Sequence, residues 1–351
     1  MDIPRFLSLV EDIIKNNISD LHFGTNEYPY IRNGVGDMSP VQAFGILTEA
    51  DISMICAHLL GRIFTERTLD ISFEHSGTRF RVNISRTIHG VTLAFRMIPS
   101  TIPEAEAIGF PNHLLDLTLA EKWIILVTGP TWSGKSTSMA VMIEHINRTS
   151  QRHIITLEDP VEFVYQNKKS LIHQRELGKQ YDSFPDGIRS ILREDPDVIV
   201  VGEMRDLATI SAAVTLAETG HLVFSTLHTN DTVQTVDRII QSFPPNEQSQ
   251  IRIQFSLALK AIISQVLLPK KDGTGRVVAR EIMLNNDSIR NLIIRGETQH
   301  MYSILEISKQ EGMQLMDDSI IDLYKKWYVD LQTIQKFIHD KDRITMLTTS
   351  M

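Results

Sequence analysis

The chain has 351 residues, of which 42% are hydrophobic and 22% charged, and this globular composition excludes a wholly disordered protein. Its 35 Lys and Arg residues against 43 Asp and Glu residues leave a net charge of −8, so nucleic-acid binding is not expected as its main task. The single cysteine, Cys56, excludes both an intrachain disulfide and a cysteine-clustered zinc site.

Residues 1–98 combine helix and strand signals. Apolar residues at helical spacing predict a helix over residues 6–14, and Thr48 with Asp51 predicts the capped start of a second helix. Strands are expected at 21–23, 30–32, 80–84 and 91–97. We therefore predict a small α+β domain. Since no apolar run approaches the roughly 20 residues that span a bilayer, no direct membrane span is expected.

Residues 99–111 are rich in proline and glycine, which is typical of a linker. Over residues 112–351, strands are expected at 123–128, 153–157, 198–201 and 222–227, and helices begin near Ser136 and Asp206. This alternation predicts an α/β fold with a mostly parallel sheet and helices on its faces. From about residue 246 the pattern is mainly helical, apart from a hairpin-like piece at 272–275.

A phosphate-binding loop is predicted after the first strand of the second domain, because Gly129 to Ser136 fits G-x-x-x-x-G-K-[ST]. Lys135 is expected to reach the β- and γ-phosphates of ATP, and Ser136 to hold Mg²⁺. The glycines allow backbone N–H groups to turn toward an anion at a helix N-terminus. The predicted nucleotide-binding residues are Gly129, Pro130, Thr131, Trp132, Ser133, Gly134, Lys135, Ser136 and Thr137.

Trp132 stands at a loop position where a small residue would be expected. If this position has a positive φ, a bulky side chain costs about 1–2 kcal/mol. Two interpretations are open: in the first, nucleotide turnover is slower or weaker or the ring contacts a neighbour; in the second, the side chain points to solvent and changes little.

Two carboxylates follow predicted strands and are candidates for catalysis. Glu158 comes after the strand at 153–157, and Glu203 comes after the buried strand at 198–201. Ligands of such sheets collect at the carboxyl ends of the strands, so both should approach Lys135. We expect Glu158 to position the attacking water and Glu203 to hold Mg²⁺ through water, although the two roles could be exchanged.

Histidine and arginine residues complete the candidate catalytic set. His228 ends the strand at 222–227 and is interpreted as a γ-phosphate sensor. His221 begins the same strand, and a subunit interface is its alternative role. Arg193 and Arg205 lie near the same edge and could stabilise a transferring phosphoryl group, with surface ion pairs as the alternative.

Together these motifs resemble the secretion ATPases of type II and type IV pilus systems, and among them the PilT-type pilus retraction ATPases. The segments that carry the resemblance are 129–136, 155–163, 192–206 and 219–230, with further similarity at 19–22, 80–83, 95–96, 288–293 and 312–314. The resemblance implies a RecA-like P-loop ATPase motor domain preceded by a smaller PAS-like domain. Trp132 departs from the glycine that is usual in the family.

The resemblance also implies an assembly and a task. It implies a cytoplasmic homohexamer that hydrolyses ATP with Mg²⁺, turns a platform protein of the inner membrane and depolymerises the pilus. Arg81 and Arg96 would reach from one subunit toward a neighbour's nucleotide.

Other functions share parts of this pattern. Pilus-extension and export relatives often carry a four-cysteine zinc element, which this chain lacks. A RecA-like nucleic-acid translocase is opposed by the net charge, and a non-hydrolysing nucleotide-binding scaffold would require that Trp132 disables the loop.

Overall fold

The chain divides into two units, residues 1–101 and 102–351. The computed structural model describes residues 2–16, 18–32, 37–98 and 101–344. Pro99 and Ser100, the first two residues of the predicted linker, lie outside the described residues, as do residues 345–351 of the predicted motor domain.

The first unit is an antiparallel sheet with two helices packed on one face. Its helices are α1 (Ile3–Lys15) and α2 (Glu49–Leu60), and its strands are β1 (Asp20–Gly24), β2 (Tyr30–Arg32), β3 (Met38–Pro40), β4 (Thr68–His75), β5 (Thr78–Thr87) and β6 (Gly90–Ile98). The strand order is β3-β2-β1-β6-β5-β4. The strands predicted at 80–84 and 91–97 are β5 and β6, which pair with each other, whereas β3 and β4 were not predicted.

Local sequence explains both helices of this unit. The Asp2 side chain accepts a hydrogen bond from Arg5 N and caps α1. Thr48 and Asp51 form the reciprocal capping box of α2, as the sequence predicts. Phe6 on α1 packs among aromatic side chains of the sheet, including Phe23 and Phe95. Alternation along β5 therefore buries one face of the sheet and leaves Arg81 on the other.

The second unit contains a seven-stranded sheet. Its strands are β7 (Trp123–Thr128), β8 (His153–Glu158), β9 (Leu171–Glu176), β10 (Val198–Val201), β11 (Leu222–Leu227), β12 (Leu259–Pro269) and β13 (Arg276–Leu284). Its helices are α3 (Asn112–Asp116), α4 (Lys135–Thr149), α5 (Phe184–Ile191), α6 (Leu207–Glu218), α7 (Thr232–Gln241), α8 (Gln248–Ala258), α9 (Asp287–Arg295), α10 (Met301–Ile307), α11 (Met316–Lys325) and α12 (Leu331–Phe337).

The order of this sheet is β13-β12-β7-β11-β10-β8-β9, with β13 antiparallel to β12 and the other pairs parallel. Apolar clusters cover both faces: Ile124 and Leu126 of β7 join one, and Ile125 and Val127 join the other. The predicted α/β fold is confirmed. None of the helices in the described ranges is both long and apolar enough to cross a membrane.

The region after residue 246 departs from the mainly helical pattern that the sequence suggests. The hairpin-like piece is the tip of a long antiparallel pair, because β12 and β13 run on either side of it. β12 is buried along most of its length, and a buried apolar run carries no period that separates strand from helix. The same ambiguity does not arise for Val198–Val201, which is too short for a helix and forms β10.

Most of the segment predicted as a linker belongs to the second unit. Ala105 and Phe110 are buried in one of its apolar clusters. Arg280 of β13 donates from Nη1 to Gly109 O at 2.7 Å and lies over the Phe110 ring at 5.1 Å. Burial lowers the pKa of Arg280 to about 10. The buried guanidinium of Arg280 therefore binds residues 108–110 to the sheet.

Candidate active site

The candidate active site lies at the carboxyl ends of the parallel strands. Residues 129–134 connect β7 to α4, and the loops after β8, β10 and β11 leave the sheet at the same edge. Because parallel strands end together, residues distant in sequence meet here.

The backbone of the phosphate loop explains its glycines. Gly129 has φ +140°, and a Cβ atom at this position would lie 2.3 Å from the backbone oxygen of Gln265. Gly134 has φ +83° and precedes the first residue of α4. At Gly129 the close approach of the backbone excludes a Cβ atom, whereas at Gly134 the left-handed conformation only favours glycine. The loop leads directly into the N-terminus of a 15-residue helix, whose first N–H groups favour an anion.

Trp132 has φ +70°, so the condition stated from the sequence, a positive φ at this position, is met. Its side chain is 58% exposed. The ring thus faces solvent, as in the second interpretation of the sequence, while the backbone carries the strain of a left-handed non-glycine residue.

Trp132→Gly is expected to raise the free energy of unfolding by about 0.5–1 kcal/mol, because glycine removes the left-handed strain but adds unfolded-state entropy. We expect kcat for ATP to change by less than about threefold. Urea denaturation and steady-state turnover test both. Trp132→Ala is the matched control, since it removes the ring and keeps the strained φ; equal stabilisation by both variants would show that the backbone is not the cause.

Lys135 is a buried cation that points back into the loop. Its Nζ donates to Gly129 O at 2.8 Å and to Pro130 O at 3.0 Å, and the residue is 8% exposed. Burial lowers the pKa of the ammonium group, and the carboxylates of Glu203 and Glu162 oppose this shift.

The loop fits a polyphosphate. The Ser133 hydroxyl is buried and has no hydrogen-bond partner within the described part of the chain. It stands beside a buried cation and a helix N-terminus, which together attract negative charge. Among the described residues, no group of three or more His, Cys, Asp and Glu side chains could hold a metal ion. Mg²⁺ suits such a site, because it keeps several waters and binds through substrate phosphates and one or two protein oxygens.

A chain of polar contacts joins Lys135 to the predicted acid. Lys135 Nζ donates to His228 Nδ1 at 3.4 Å, and His228 Nε2 lies 3.3 Å from Glu203 Oε1. An ammonium group cannot accept a hydrogen bond, so Nδ1 is the acceptor and the imidazole proton on Nε2 faces Glu203. Arg205 Nη2 lies 2.8 Å from Glu203 Oε2, and this hydrogen bond raises the pKa of the guanidinium.

Glu158 stands beside this group at the end of β8. The N–H of Gly202 donates to Leu157 O at 2.7 Å, so the residues that follow, Glu158 and Glu203, leave the sheet as neighbours. Burial raises the pKa of the Glu158 carboxyl group, and hydrogen bonds from Thr156 and Gln174 oppose the shift. A carboxylate with a raised pKa is a better proton acceptor near neutral pH.

Not every predicted residue joins the group. His221 lies at the opposite end of β11 from His228, where its Nδ1 lies 3.0 Å from Leu216 O at the end of α6. Arg193 is exposed after α5. Arg81 and Arg96 belong to the first unit, where they are register neighbours and pair with Asp70 at 3.5 Å and Asp20 at 2.9 Å.

Gln265 of β12 is a buried contact of the loop that the sequence did not indicate. Its Nε2 donates to Ser133 O at 2.8 Å, and its Oε1 accepts from Ser138 Oγ at 2.9 Å. The side chain is fully buried. Gln265 therefore joins the phosphate loop to the sheet, although it lies more than a hundred residues from the loop in sequence. This contact could have been predicted only if β12 had been recognised as a strand beside β7.

Comparison with known proteins identifies relatives of this chain. The family model "Type II/IV secretion system protein" matches residues 61–332. The type IV pilus retraction ATPase PilT of Pseudomonas aeruginosa is 44% identical over 342 residues, covering 96% of this chain and 98% of that protein. A twitching motility protein of Neisseria gonorrhoeae is 49% identical over 259 residues, covering 74% and 69%.

A solved structure extends this likeness to the fold. The crystal structure of the pilus retraction motor PilT with bound ADP matches with a TM-score of 0.87 and 40% identity, over 99% of each chain. The motifs at the sheet edge, the matched family model and these relatives agree, and the chain belongs to the type II/IV secretion system protein family.

Proposed function

We propose that this protein is a Mg²⁺-dependent ATPase that powers type IV pilus retraction and thereby twitching motility. The observation that carries the proposal is the contact chain from Lys135 through His228 to Glu203, set beside a phosphate loop. Near full-length similarity to a pilus retraction ATPase supports the mechanical task. We further propose a homohexamer in the cytoplasm that reaches the inner membrane through a pilus platform protein.

In the proposed reaction Lys135 turns from the loop carbonyls to the β- and γ-phosphates of ATP. Glu158 accepts a proton from the attacking water, because its carboxylate has the raised pKa. Bound Mg²⁺ would neutralise the phosphate charge, held by Ser136 and, through water, by Glu203. His228 contacts both Lys135 and Glu203 and so senses the γ-phosphate.

The arginines are proposed to act on the charge of the phosphoryl group. Arg205 already contacts Glu203, so a small rotation would exchange that carboxylate for a phosphate oxygen. Arg193 is exposed and available to a ligand or a neighbouring subunit. For Arg81 and Arg96 we propose action on the nucleotide of a neighbouring subunit in the ring, and for His221 a place at the interface.

Deleting the gene in a piliated cell is expected to leave pili assembled but not retracted, with twitching lost. A plasmid copy of the wild type should restore movement, and a Lys135→Ala copy should not. Pilus number by electron microscopy and single-pilus retraction by fluorescence are the measurements. Loss of pilus assembly would assign the protein to extension, and ATPase activity stimulated several-fold by single-stranded DNA would favour a nucleic-acid translocase.

A further inference from the structure

Gln174 contacts Glu158 from the neighbouring strand. Thr156 and Glu158 lie on the same face of β8, and Gln174 is the register partner of Thr156 on β9. The Gln174 Nε2 atom donates to Glu158 Oε1 at 3.0 Å. The contact arises from the pairing of the two strands.

Backbone contacts determine the orientation of the Gln174 amide. Its oxygen accepts from Tyr165 N at 2.8 Å, and its nitrogen also donates to Phe163 O at 2.8 Å. A flipped amide would place a donor against a backbone N–H and an acceptor against a carbonyl oxygen. The segment 163–165 therefore holds the N–H groups of Gln174 toward Glu158.

Both side-chain donors act on the same carboxylate oxygen. Thr156 Oγ1 donates to Glu158 Oε1 at 2.6 Å, beside the donation from Gln174. The other oxygen, Oε2, has one long contact, from Glu162 N at 3.4 Å. Oε1 is thus engaged by two donors, while Oε2 retains lone pairs for another proton donor.

We propose that Gln174 is a positioning residue for ATP hydrolysis, which with Thr156 holds Oε1 of Glu158 so that Oε2 accepts the proton of the attacking water. This inference rests on the proposed function. In the step, the water oxygen forms a bond to the γ-phosphorus as the bond to the β,γ-bridging oxygen breaks. One water proton moves to Oε2, and the bridging-oxygen electrons leave with ADP.

The surroundings of Glu158 raise its pKa, and the two donors limit the rise. Burial is the largest cause, and the nearby Glu162 carboxylate adds to it. Tyr165 and Tyr181 also face Glu158, and its charge contributes to their raised pKa values. Glu176 is the register partner of Glu158 on β9. Removal of either donor should therefore raise the pKa of Glu158 further.

The test is the pH dependence of kcat/KM for ATP in the full-length protein. For Gln174→Glu, which replaces the donor by an acceptor, we expect the acid limb to move up by about one pH unit. Thr156→Val removes the second donor with little change of shape and should move the limb in the same direction. The shift of the limb is the decisive readout, because a merely structural defect lowers the rate at every pH without moving the limb.

His173→Gln is the matched control, because His173 lies on β9 beside Gln174 and its side chain contacts His153 instead. Its acid limb should coincide with that of the wild type. If the limbs of Gln174→Glu and Thr156→Val also coincide with the wild type, the positioning role is wrong. Absence of ATP hydrolysis in the wild type would instead overturn the proposed function, so the two failures are distinguishable.

Discussion

Lys135→Ala is expected to weaken ATP binding by about 10- to 100-fold, because a hydrogen bond to a charged group contributes about 1.5–3 kcal/mol. The ammonium group already lies within the loop, held by Gly129 O and Pro130 O, and needs only to turn to reach a phosphate. Titration with a fluorescent ATP analogue gives the dissociation constant. The rate of ATP hydrolysis at subsaturating ATP should fall together with the affinity.

Lys169→Ala is the control for this variant, since Lys169 is an exposed lysine outside the site. It should bind ATP as the wild type does. Thermal unfolding of Lys135→Ala separates loss of binding from loss of folding. Wild-type affinity in a folded Lys135→Ala protein would contradict the assigned role.

Glu158→Gln is expected to bind ATP with near wild-type affinity and to lower kcat by about 10²–10⁴-fold, the usual contribution of a general base. The amide keeps the shape of the carboxyl group but cannot accept the water proton. Single-turnover hydrolysis under saturating protein measures the chemical step apart from product release.

Two further carboxylate variants serve as comparisons for Glu158→Gln. Glu162→Gln changes an exposed neighbour and should alter kcat by less than about threefold. If Glu203 holds the ion through water, the turnover of Glu203→Gln should depend on Mg²⁺ concentration. Turnover of Glu158→Gln at the wild-type rate would exchange the two roles or remove Glu158 from the reaction.

The phosphate loop could be predicted from sequence because its requirements are local. Gly129 lies where the backbone leaves no room for a Cβ atom, Gly134 has a left-handed conformation that favours glycine, and Lys135 follows within the same few residues. The strand ends that carry Glu158, Glu203 and His228 were also predictable. Short apolar runs indicated β8, β10 and β11, and parallel strands bring their carboxyl ends together.

The supports of the site could not be predicted, because they depend on which strands are neighbours. Gln265 reaches the loop only because β12 lies beside β7, and β12 resembles a buried helix in sequence. Gln174 reaches Glu158 only because β9 lies beside β8. The fastening of residues 108–110 by Arg280 depends likewise on a strand far along the chain, and a Pro- and Gly-rich segment carries no sign of such a contact.

The exposed ring of Trp132 places an intrinsic fluorophore in the phosphate loop. The sequence has three tryptophans. Trp123 lies at the far end of β7, and Trp327 lies after α11 beside Lys271. Trp132 stands in the loop itself with 58% of its side chain in water. Its emission therefore offers a label-free optical record of nucleotide arrival and departure during each cycle of the motor.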